Sequence, residues 1–592
     1  MKIKSIFLVC LLASSLSSYC QTCLPNGIEF SSQLGIDNFL VNYPNCTQIL
    51  GDVKITGSNI SNLDGLSNLT TIGGDLTISV YQNPTSLSGL NNLVHIGGDI
   101  FIDYNSLTGL NCLNALTSAN YISVNSNPGL VNLDCFSSLQ TITGKFQIVN
   151  NPLLESLSSQ GMLENIAADG ELIISKNPKL TSVAGLQELT QVEGSITITD
   201  NESLTSLDSL IHLTSVGGKL AISLNPSLTD LSGLDNLTTV STLDIFSNDS
   251  LGNLSHLSKL EKAGYLGIRK NPALVSLEGL SNLHRITDNF EITDNALLEK
   301  IGPFNFSDTL DGRVFIYGNP KLINIDALSN LTTIKKDIIV SYNESLTDFA
   351  GLNNLHTVGG LGIGGSPLLA NLSDLNQLDS VETGLVIHNM PLLTSLEGLE
   401  NLHYLGGTLY ITDNQSLASL SGLENLRHAE RLEIINNPSL ASLSGIDSVE
   451  FAAEFTGYQI IIESNPLLSF CGIQSICNVM ADHGYWTIYS DNAEGCNSQG
   501  EVYISCGLSD TDEKIDEAEI KIYPNPTPGV FVVEIETPKR FKAQVMDAMG
   551  RLVETVELFG GGVVDLSGEP EGMYFVRLLF DGQIVVRKVV KI

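Results

Sequence analysis

From Val53 onward the chain repeats one short pattern of hydrophobic and polar positions. Two apolar residues flank one variable residue, and an asparagine, often followed by proline, comes three positions after the second apolar residue. Leu266 and Ile268 with Asn271 are one example. Because apolar residues that alternate with a period of two are typical of a strand, the pattern predicts one short strand in each repeat.

The second apolar residue of this pattern recurs eighteen times, first at Ile55 and last at Ile462. The mean spacing is about 24 residues, which is typical of solenoid repeats. After each asparagine, apolar residues spaced by three, such as Leu274, Leu277 and Leu280, predict a compact irregular return to the next strand. We therefore expect a mainly β fold in which parallel strands stack over about 18 coils.

Asparagine occupies the third position after the second apolar residue in fourteen of the eighteen coils. An amide side chain both donates and accepts hydrogen bonds, so a buried asparagine can satisfy backbone groups of its own coil and the next. Regular spacing through a whole solenoid indicates architecture rather than a row of ligand sites. The coils around Ser366 and Met390 lack this asparagine, and we expect a remodelled turn there. We predict a stacked ladder of Asn105, Asn127, Asn151, Asn177, Asn201, Asn225, Asn248, Asn271, Asn295, Asn319, Asn343, Asn414, Asn437 and Asn465.

The repeated phrase resembles the core of a leucine-rich repeat. Its form at Gly73-Gly74-Asp75-Leu76, with a period near 24, is similar to the receptor L domains of growth-factor receptor ectodomains. The resemblance covers residues from about 50 to 470. It implies a right-handed, strand-lined solenoid that is used for binding and carries no catalytic residues. We assign 51–470 to this solenoid, 21–50 to an N-terminal cap and 471–507 to a C-terminal cap.

The cysteines are placed to close the ends of the solenoid, where a terminal coil exposes its apolar centre. An even number in an exported chain favours disulfides. Cys112 and Cys135 are 23 residues apart, close to one period, and are predicted to bridge neighbouring coils. The sequence leaves the pairing within the caps open. The full set of disulfide candidates is Cys23, Cys46, Cys112, Cys135, Cys471, Cys477, Cys496 and Cys506.

Residues 1–20 have the pattern of a secretory signal peptide, in which two lysines precede an apolar run from Ile6 to Ala13. This run is shorter than the ~20 apolar residues that a membrane-spanning helix needs, and no later stretch approaches that length. A lipid anchor on Cys20 is disfavoured by Tyr19, since a small residue normally precedes a lipidated cysteine. We expect an exported protein without a transmembrane segment.

The C-terminal region differs in pattern and charge from the solenoid. An acidic linker is predicted at 508–519, and residues 520–592 carry equal numbers of basic and acidic residues. Alternating short apolar runs predict about seven strands in a small β-sandwich. Several motifs resemble the type A C-terminal sorting domain of the bacterial type IX secretion system: Tyr523, Pro524, Asn525 and Pro526, then Gly550, Gly572, Tyr574, Lys588 and Lys591.

The resemblance to the sorting domain implies where the protein is located. It implies a Bacteroidetes-type bacterium, export through the type IX secretion machinery, and a secreted or surface-attached protein. An adhesive Ig-like domain is the other interpretation of these strands, although fold alone does not determine function.

The charge excludes one class of partner. Lys and Arg total 29 against 65 Asp and Glu, so the formal charge is -36, and a polyanion of this size repels nucleic acid. Motif searching assigns no catalytic residue, cofactor or metal. Asp244, Arg269 and Glu291 lie on the outward strand face of three successive coils, where a polysaccharide lyase would place such groups. An exposed ion pair is the simpler interpretation.

Two functional classes are therefore favoured over an enzyme. The first is a surface binding or adhesion protein with an extracellular protein or glycan ligand, and the second is a passive surface-layer or spacer protein. A ligand site is predicted on the strand face of coils 12 to 16, where aromatic side chains flank glycines that would form a shallow trough with open backbone amides. Its residues are Phe315, Tyr317, Tyr342, Gly362, Gly364, His388 and Tyr410.

Overall fold

The computed structural model describes residues 21–80, 87–157, 163–167, 169–302, 304, 306–452, 458–483, 487–508, 520–535, 539–580 and 583–592. The predicted signal peptide at 1–20 and nearly all of the predicted linker at 508–519 lie outside these residues. The chain divides into two units, 1–378 and 379–592. The fold class predicted from the repeat is confirmed: the two units together contain about 19 solenoid turns with a period of about 24 residues, and antiparallel sheets follow.

The first unit is built on one stack of parallel strands. The two flanking apolar side chains of each repeat point inward, and Leu266 and Ile268 are both fully buried. The main strands of this unit are Ile28–Phe30, Val53–Ile55, Leu76–Ile78, Ile100–Asp103, Ile122–Asn125, Lys145–Val149, Glu171–Ser175, Ile196–Thr199, Ser215–Ser223, Thr239–Phe246, Lys262–Arg269, Phe290–Thr293, Val314–Tyr317, Thr333–Ser341 and Thr357–Gly364.

Shorter elements complete the coils of the first unit. Its short strands are Gln21–Cys23, Cys46–Ile49, Thr71–Ile72, His95–Ile96, Gly109–Leu110, Ser118–Ala119, Asn132–Leu133, Thr141–Ile142, Asn165–Ile166, Gln191–Val192, Arg285–Ile286 and Thr309–Leu310. Single 3-10 turns lie at Asp64–Leu66, Ser88–Leu90, Asp208–Leu210, Ser255–Leu257, Glu278–Leu280, Asp326–Leu328, Ala350–Leu352 and Ser373–Leu375. Helices Gln33–Asp37 and Phe39–Asn42 lie near the N-terminal end.

The second unit begins with further coils of the same kind. Its main strands are Leu385–His388, Thr408–Thr412, Arg431–Ile435, Ile460–Glu463 and Thr487–Ser490, and its short strands are Ser380–Val381, Tyr404–Leu405, His428–Ala429 and Glu450–Phe451. Helices Gln474–His483 and Gln499–Ser505 follow the fourth and fifth main strands. Strand Thr487–Ser490 pairs in parallel with Ile460–Glu463, so the strand stack runs one turn beyond the eighteen coils counted from the sequence.

The asparagine ladder is confirmed, because all fourteen predicted side chains are fully buried. At Asn271 the side-chain oxygen accepts a hydrogen bond from the backbone N of Asn248 at 3.0 Å. Its amide nitrogen donates to the carbonyl oxygens of Ile245 and Arg269, both at 3.0 Å. Each ladder residue therefore ties its own strand to the coil before it.

The ladder continues differently where asparagine is missing. Asn343 N donates to Ser366 Oγ at a longer 3.4 Å, and the Met390 side chain is fully buried. The preceding residues, Gly365 and Asn389, have φ of 60° and 50°, like their counterparts in other coils. The expectation of a remodelled turn is therefore wrong for the backbone, and only the side-chain hydrogen bonds change.

Disulfides close both solenoid ends. Cys23 is bonded to Cys46 in the first unit. The second unit has the bonds Cys471–Cys496 and Cys477–Cys506. Cys112 and Cys135 are both buried thiols whose sulfur atoms lie 2.6 Å apart without a bond, so their bridging stays a prediction.

The C-terminal region forms two antiparallel sheets, which confirms the predicted seven-strand architecture. One sheet contains Ile520–Tyr523, Val530–Ile535 and Gly561–Asp565. The other contains Leu552–Phe559, Arg540–Asp547, Gly572–Phe580 and Gln583–Lys591, in that spatial order. Phe531, Val545 and Val576 are fully buried in the core that these strands share.

Candidate functional site

Charged side chains meet on the outward strand face of the first unit, and we call Lys219, Asp244, Tyr265, Arg269 and Glu291 the ionic cluster. Lys219 Nζ lies 2.6 Å from Asp244 Oδ2, and Arg269 Nη2 lies 2.7 Å from Asp244 Oδ1. Tyr265 Oη donates to Glu291 Oε2 at 2.6 Å. The cluster thus joins four successive main strands through side chains alone.

Small residues make room for this network. Asp244 lies in register with Ala221 on one side and Gly267 on the other. The Tyr265 ring lies against Gly267, where a Cβ atom would come within 2.6 Å of Tyr265 Oη. Gly267 therefore allows the tyrosine to cross its strand and reach Glu291.

The electrostatics of the ionic cluster stabilise the charged form of Asp244. Burial raises the pKa of Asp244, but the hydrogen bonds and charges of Lys219 and Arg269 outweigh it and leave that pKa below its ordinary value. Burial and the adjacent Glu291 raise the pKa of Tyr265, which keeps its phenol protonated. The Arg269 guanidinium also lies over the Phe246 ring, 5.5 Å from its centroid. The sequence pattern pointed to Asp244, Arg269 and Glu291. It did not point to Lys219 and Tyr265, which lie three residues before the second apolar position of their coils.

Three of the predicted ligand-site aromatics meet next to this cluster, and we call Phe315, Tyr317 and Tyr342 the aromatic group. The Phe315 and Tyr317 rings are stacked with centroids 5.6 Å apart, and the Tyr317 and Tyr342 centroids are 5.1 Å apart. Phe315 lies in register with Glu291 on the neighbouring strand. The ionic cluster and the aromatic group therefore form one continuous face.

An aromatic ring lies next to the glycines of the predicted trough. Gly362 lies in register with Ile339, and Gly364 is buried with its carbonyl accepting from Tyr342 N at 3.0 Å. The Tyr342 ring covers Gly365, where an added Cβ would lie 2.7 Å from the ring. The Tyr342 ring thus fills the space over Gly365, and the trough at Gly362 and Gly364 stays a prediction.

His388 and Tyr410 belong to the second unit, separately from the other predicted site residues. Tyr410 is half-buried and in register with Val386 and Glu433. Burial lowers the pKa of His388, against the opposing effect of Asp413, so its imidazole is held neutral. Five of the seven predicted residues lie in the first unit, and their binding of a ligand stays a prediction.

The sorting motifs, which are far apart in sequence, converge in the C-terminal sheets. Asn525 Nδ2 donates to Lys588 O at 2.8 Å, and Val590 N donates to Asn525 Oδ1 at 2.9 Å. Thr527 N donates to Val590 O at 2.8 Å. The Asn525 side chain therefore holds the Pro524–Pro526 segment against the last strand, because it bonds two backbone groups of that strand.

A buried lysine completes this end of the domain. Lys591 is 8% exposed, and its Nζ donates to the carbonyl oxygens of Leu566, Ser567 and Glu569. All three N–H donors of this buried ammonium group are thus paired with carbonyl oxygens. Lys591 therefore binds the last strand to the loop after Gly561–Asp565.

The other sorting-motif residues have local structural roles. Tyr574 Oη donates to Pro570 O at 2.6 Å, and Tyr523 Oη donates to Glu534 Oε2 at 2.9 Å. Gly550 has φ of 82° in the turn between two strands, and Gly572 begins its strand.

The described residues contain neither a metal-binding cluster nor a membrane-spanning helix. No group of three or more His, Cys, Asp or Glu side chains is placed to hold a metal ion in this part of the chain. Across the same residues, no helix is long and apolar enough to cross a membrane.

Comparison with protein families finds two matches. Residues 521–592 match the secretion system C-terminal sorting domain, and residues 45–117 and 109–189 match the receptor L domain. Both resemblances seen in the sequence are thereby confirmed. The sorting domain marks a protein that is secreted or displayed at the cell surface by type IX secretion, and neither family is an enzymatic kind.

Comparison with individual proteins adds little. No curated protein matches the chain. Among solved structures, an internalin from Listeria monocytogenes is 15% identical, with 67% of this chain and 88% of that chain covered and a TM-score of 0.29. A TM-score this low does not establish a shared fold or function.

Proposed function

We propose that this chain is a non-enzymatic binding or adhesion protein of the bacterial surface, and that the strand face of its first unit holds an extracellular glycan or protein ligand. The continuity of the ionic cluster with the aromatic group carries this proposal. Glu291 and Phe315 are neighbours in register, so polar and stacking groups lie side by side on rigid strands.

The outward position of these residues supports a role beyond folding. The apolar centre and the asparagine ladder already stabilise each coil, and neither uses these outward side chains. Other coils carry Ile173 or Thr197 at the same outward position and form the same strand pairings. A passive spacer would need no concentration of aromatic and charged groups on one part of its face.

The export role of the tail follows from its family, and the ligand is the open part of the proposal. Tyr317→Ala with Tyr342→Ala removes two rings of the aromatic group, and Tyr104→Ala is the matched control. Tyr104 is 57% exposed and, like Tyr342, directly precedes a ladder position with φ near 60°.

The test is binding of the secreted protein to arrays of bacterial and host glycans and of extracellular proteins. We expect the double variant to lose about tenfold in affinity for the ligands that the unaltered protein binds, since each ring contributes stacking as well as buried area. Tyr104→Ala should keep the original profile. Identical profiles for all three proteins would show that this face is not the ligand site.

A further inference from the structure

The part of the chain that supplies most of the proposed binding face lacks the net negative charge of the rest. Between Lys259 and Lys336 the sequence has ten Lys and Arg residues and nine Asp and Glu residues, although the whole chain carries -36. This stretch supplies Tyr265, Arg269, Glu291 and most of the aromatic group. A negatively charged ligand therefore meets less repulsion here than over the rest of the solenoid.

The ionic cluster itself carries an excess of cations around Asp244. Lys219 and Arg269 both pair with this single carboxylate. Lys270 Nζ also lies near, 5.9 Å from the centroid of the Phe246 ring that Arg269 covers. Glu291 takes its hydrogen bond from the neutral phenol of Tyr265. Two cations thus share the single carboxylate of Asp244, while Glu291 is hydrogen-bonded to a neutral group.

The side chains of both cations remain partly exposed. The Lys219 and Arg269 side chains are 46% and 33% exposed, whereas Asp244 is 11% exposed beneath them. The carboxylate therefore serves as an internal anchor that orients two cationic groups outward. Preorganised cations of this kind recognise an incoming carboxylate at low entropic cost.

The neighbouring aromatic group favours a sugar over a peptide as the carrier of that carboxylate. A peptide commonly gains affinity by adding a strand to an open sheet edge. The strands of the cluster are paired on both sides, so they offer side chains and no free edge. A sugar ring uses such side chains fully, because its C–H face stacks on aromatic rings while its polar groups bond to charged ones.

We propose that the ionic cluster is a subsite for the carboxylate of an acidic polysaccharide, with Lys219 and Arg269 binding a uronate and the aromatic group stacking on an adjoining sugar. This inference rests on the proposed function, of which it names the ligand class. The cluster binds the uronate without bond cleavage.

The test compares three probes on the full secreted protein by calorimetry: a galacturonic acid oligomer, its carboxyl-reduced galactose counterpart, and poly-L-glutamate. The uronate oligomer should bind more tightly than both others, and its affinity should fall as NaCl is raised, because partly exposed charges are screened by salt. Lys219→Gln should weaken its binding roughly fivefold, since Asp244 keeps Arg269 as partner and the fold is retained.

Lys300→Gln is the matched control, because Lys300 is 50% exposed and pairs with Glu278 away from the cluster. It should leave uronate binding unchanged. Equal binding of the uronate and galactose oligomers, stronger binding of poly-L-glutamate, or equal effects of the two lysine variants would each overturn the uronate subsite.

The two proposals can fail separately. If the uronate oligomer does not bind but another array ligand is lost in the Tyr317→Ala, Tyr342→Ala variant, the binding face stands and the uronate subsite is wrong. If no ligand responds to that double variant, the binding face itself is wrong.

Discussion

At the scale of single residues, most of the described coils depend on two neighbouring positions after the strand. The first takes a left-handed backbone conformation, as at Leu224 and Lys270 with φ of 55° and 54°, and turns the chain. The second is the buried ladder residue, such as Asn225 or Asn271, which satisfies the backbone groups that the turn leaves unpaired. One residue thus accepts conformational strain and the next supplies the hydrogen bonds.

Replacing Asn271 with alanine should lower the free energy of unfolding by about 2–4 kcal/mol. The change takes the acceptor from the buried Asn248 N, which costs about 1–3 kcal/mol, and removes the side-chain bonds to the carbonyls of Ile245 and Arg269. Asn282→Ala is the control, because Asn282 is exposed and bonds Ser258 O at the surface. Urea denaturation measures both, and equal midpoints for the two variants would contradict the ladder's structural role.

Replacing Leu224 with asparagine should raise the free energy of unfolding by about 1 kcal/mol. A leucine in the left-handed region costs roughly 1–2 kcal/mol, which asparagine tolerates better, and Leu224 is 45% exposed and loses little packing. Ile211→Asn is the control, since Ile211 is 37% exposed with an ordinary φ of -58°. A gain in thermal stability for both variants, or for neither, would show that strain at this turn is not the cause.

At the scale of elements, short contacts join segments that are one coil or a whole domain apart in sequence. Strands Gly109–Leu110 and Asn132–Leu133 are paired, and each precedes a cysteine at the same offset. In the C-terminal domain, Asn525 connects the segment before the second strand to the last strand.

Cys112 and Cys135 are predicted to form a disulfide in the secreted protein. Their sulfur atoms lie 2.6 Å apart, and the exporting compartment supplies thiol–disulfide oxidants. Burial and the adjacent thiol raise the pKa of Cys135 well above its ordinary value, so oxidation should occur during folding, before the thiolate becomes rare. Non-reducing peptide mapping should find the linked peptides. Recovery of both as alkylated thiols after denaturation would end the prediction.

Asn525→Ala should impair export more than it impairs expression. The change removes both side-chain bonds to the last strand, so only the backbone bonds of Thr527 still hold the sorting motif there. Surface display, measured by protease accessibility on intact cells, should fall several-fold. Lys542→Ala, at an exposed ion pair with Glu557 on the same domain, should display normally. Normal display of Asn525→Ala would show that the two Asn525 hydrogen bonds are not needed for sorting.

At the scale of the whole molecule, binding and export are assigned to different parts of the chain. The solenoid coils supply the proposed binding face, and the matched family at 521–592 supplies the sorting signal.

Deletion of residues 520–592 should retain the protein in the periplasm, because the sorting domain is the part recognised by the secretion machinery. Cell fractionation with detection of the solenoid measures this, with the full chain as reference. The retained protein should still bind the ligands of the full chain, since the binding face lies wholly in the first unit. Surface display of the truncated chain would contradict the role of the tail.

Sequence alone determined the repeat, its strands, the ladder and the nature of the tail, because a local pattern that recurs every 24 residues places equivalent residues in equivalent environments. The pattern did not predict strand Thr487–Ser490, because this strand lacks the usual pair of apolar residues. Asn492 nevertheless continues the ladder after it.

Only the tertiary structure decided which outward side chains meet. Lys219 and Asp244, or Asn525 and Lys588, are 25 and 63 residues apart, and their contact depends on side-chain direction and on small neighbours such as Gly267. The same information was missing for the predicted trough, where the Tyr342 ring turned over Gly365. Burial decides which side chains point inward, and the hydrophobic pattern of the sequence shows this. Contacts between outward side chains depend on their rotamers and on the neighbouring coil, and the sequence pattern shows neither.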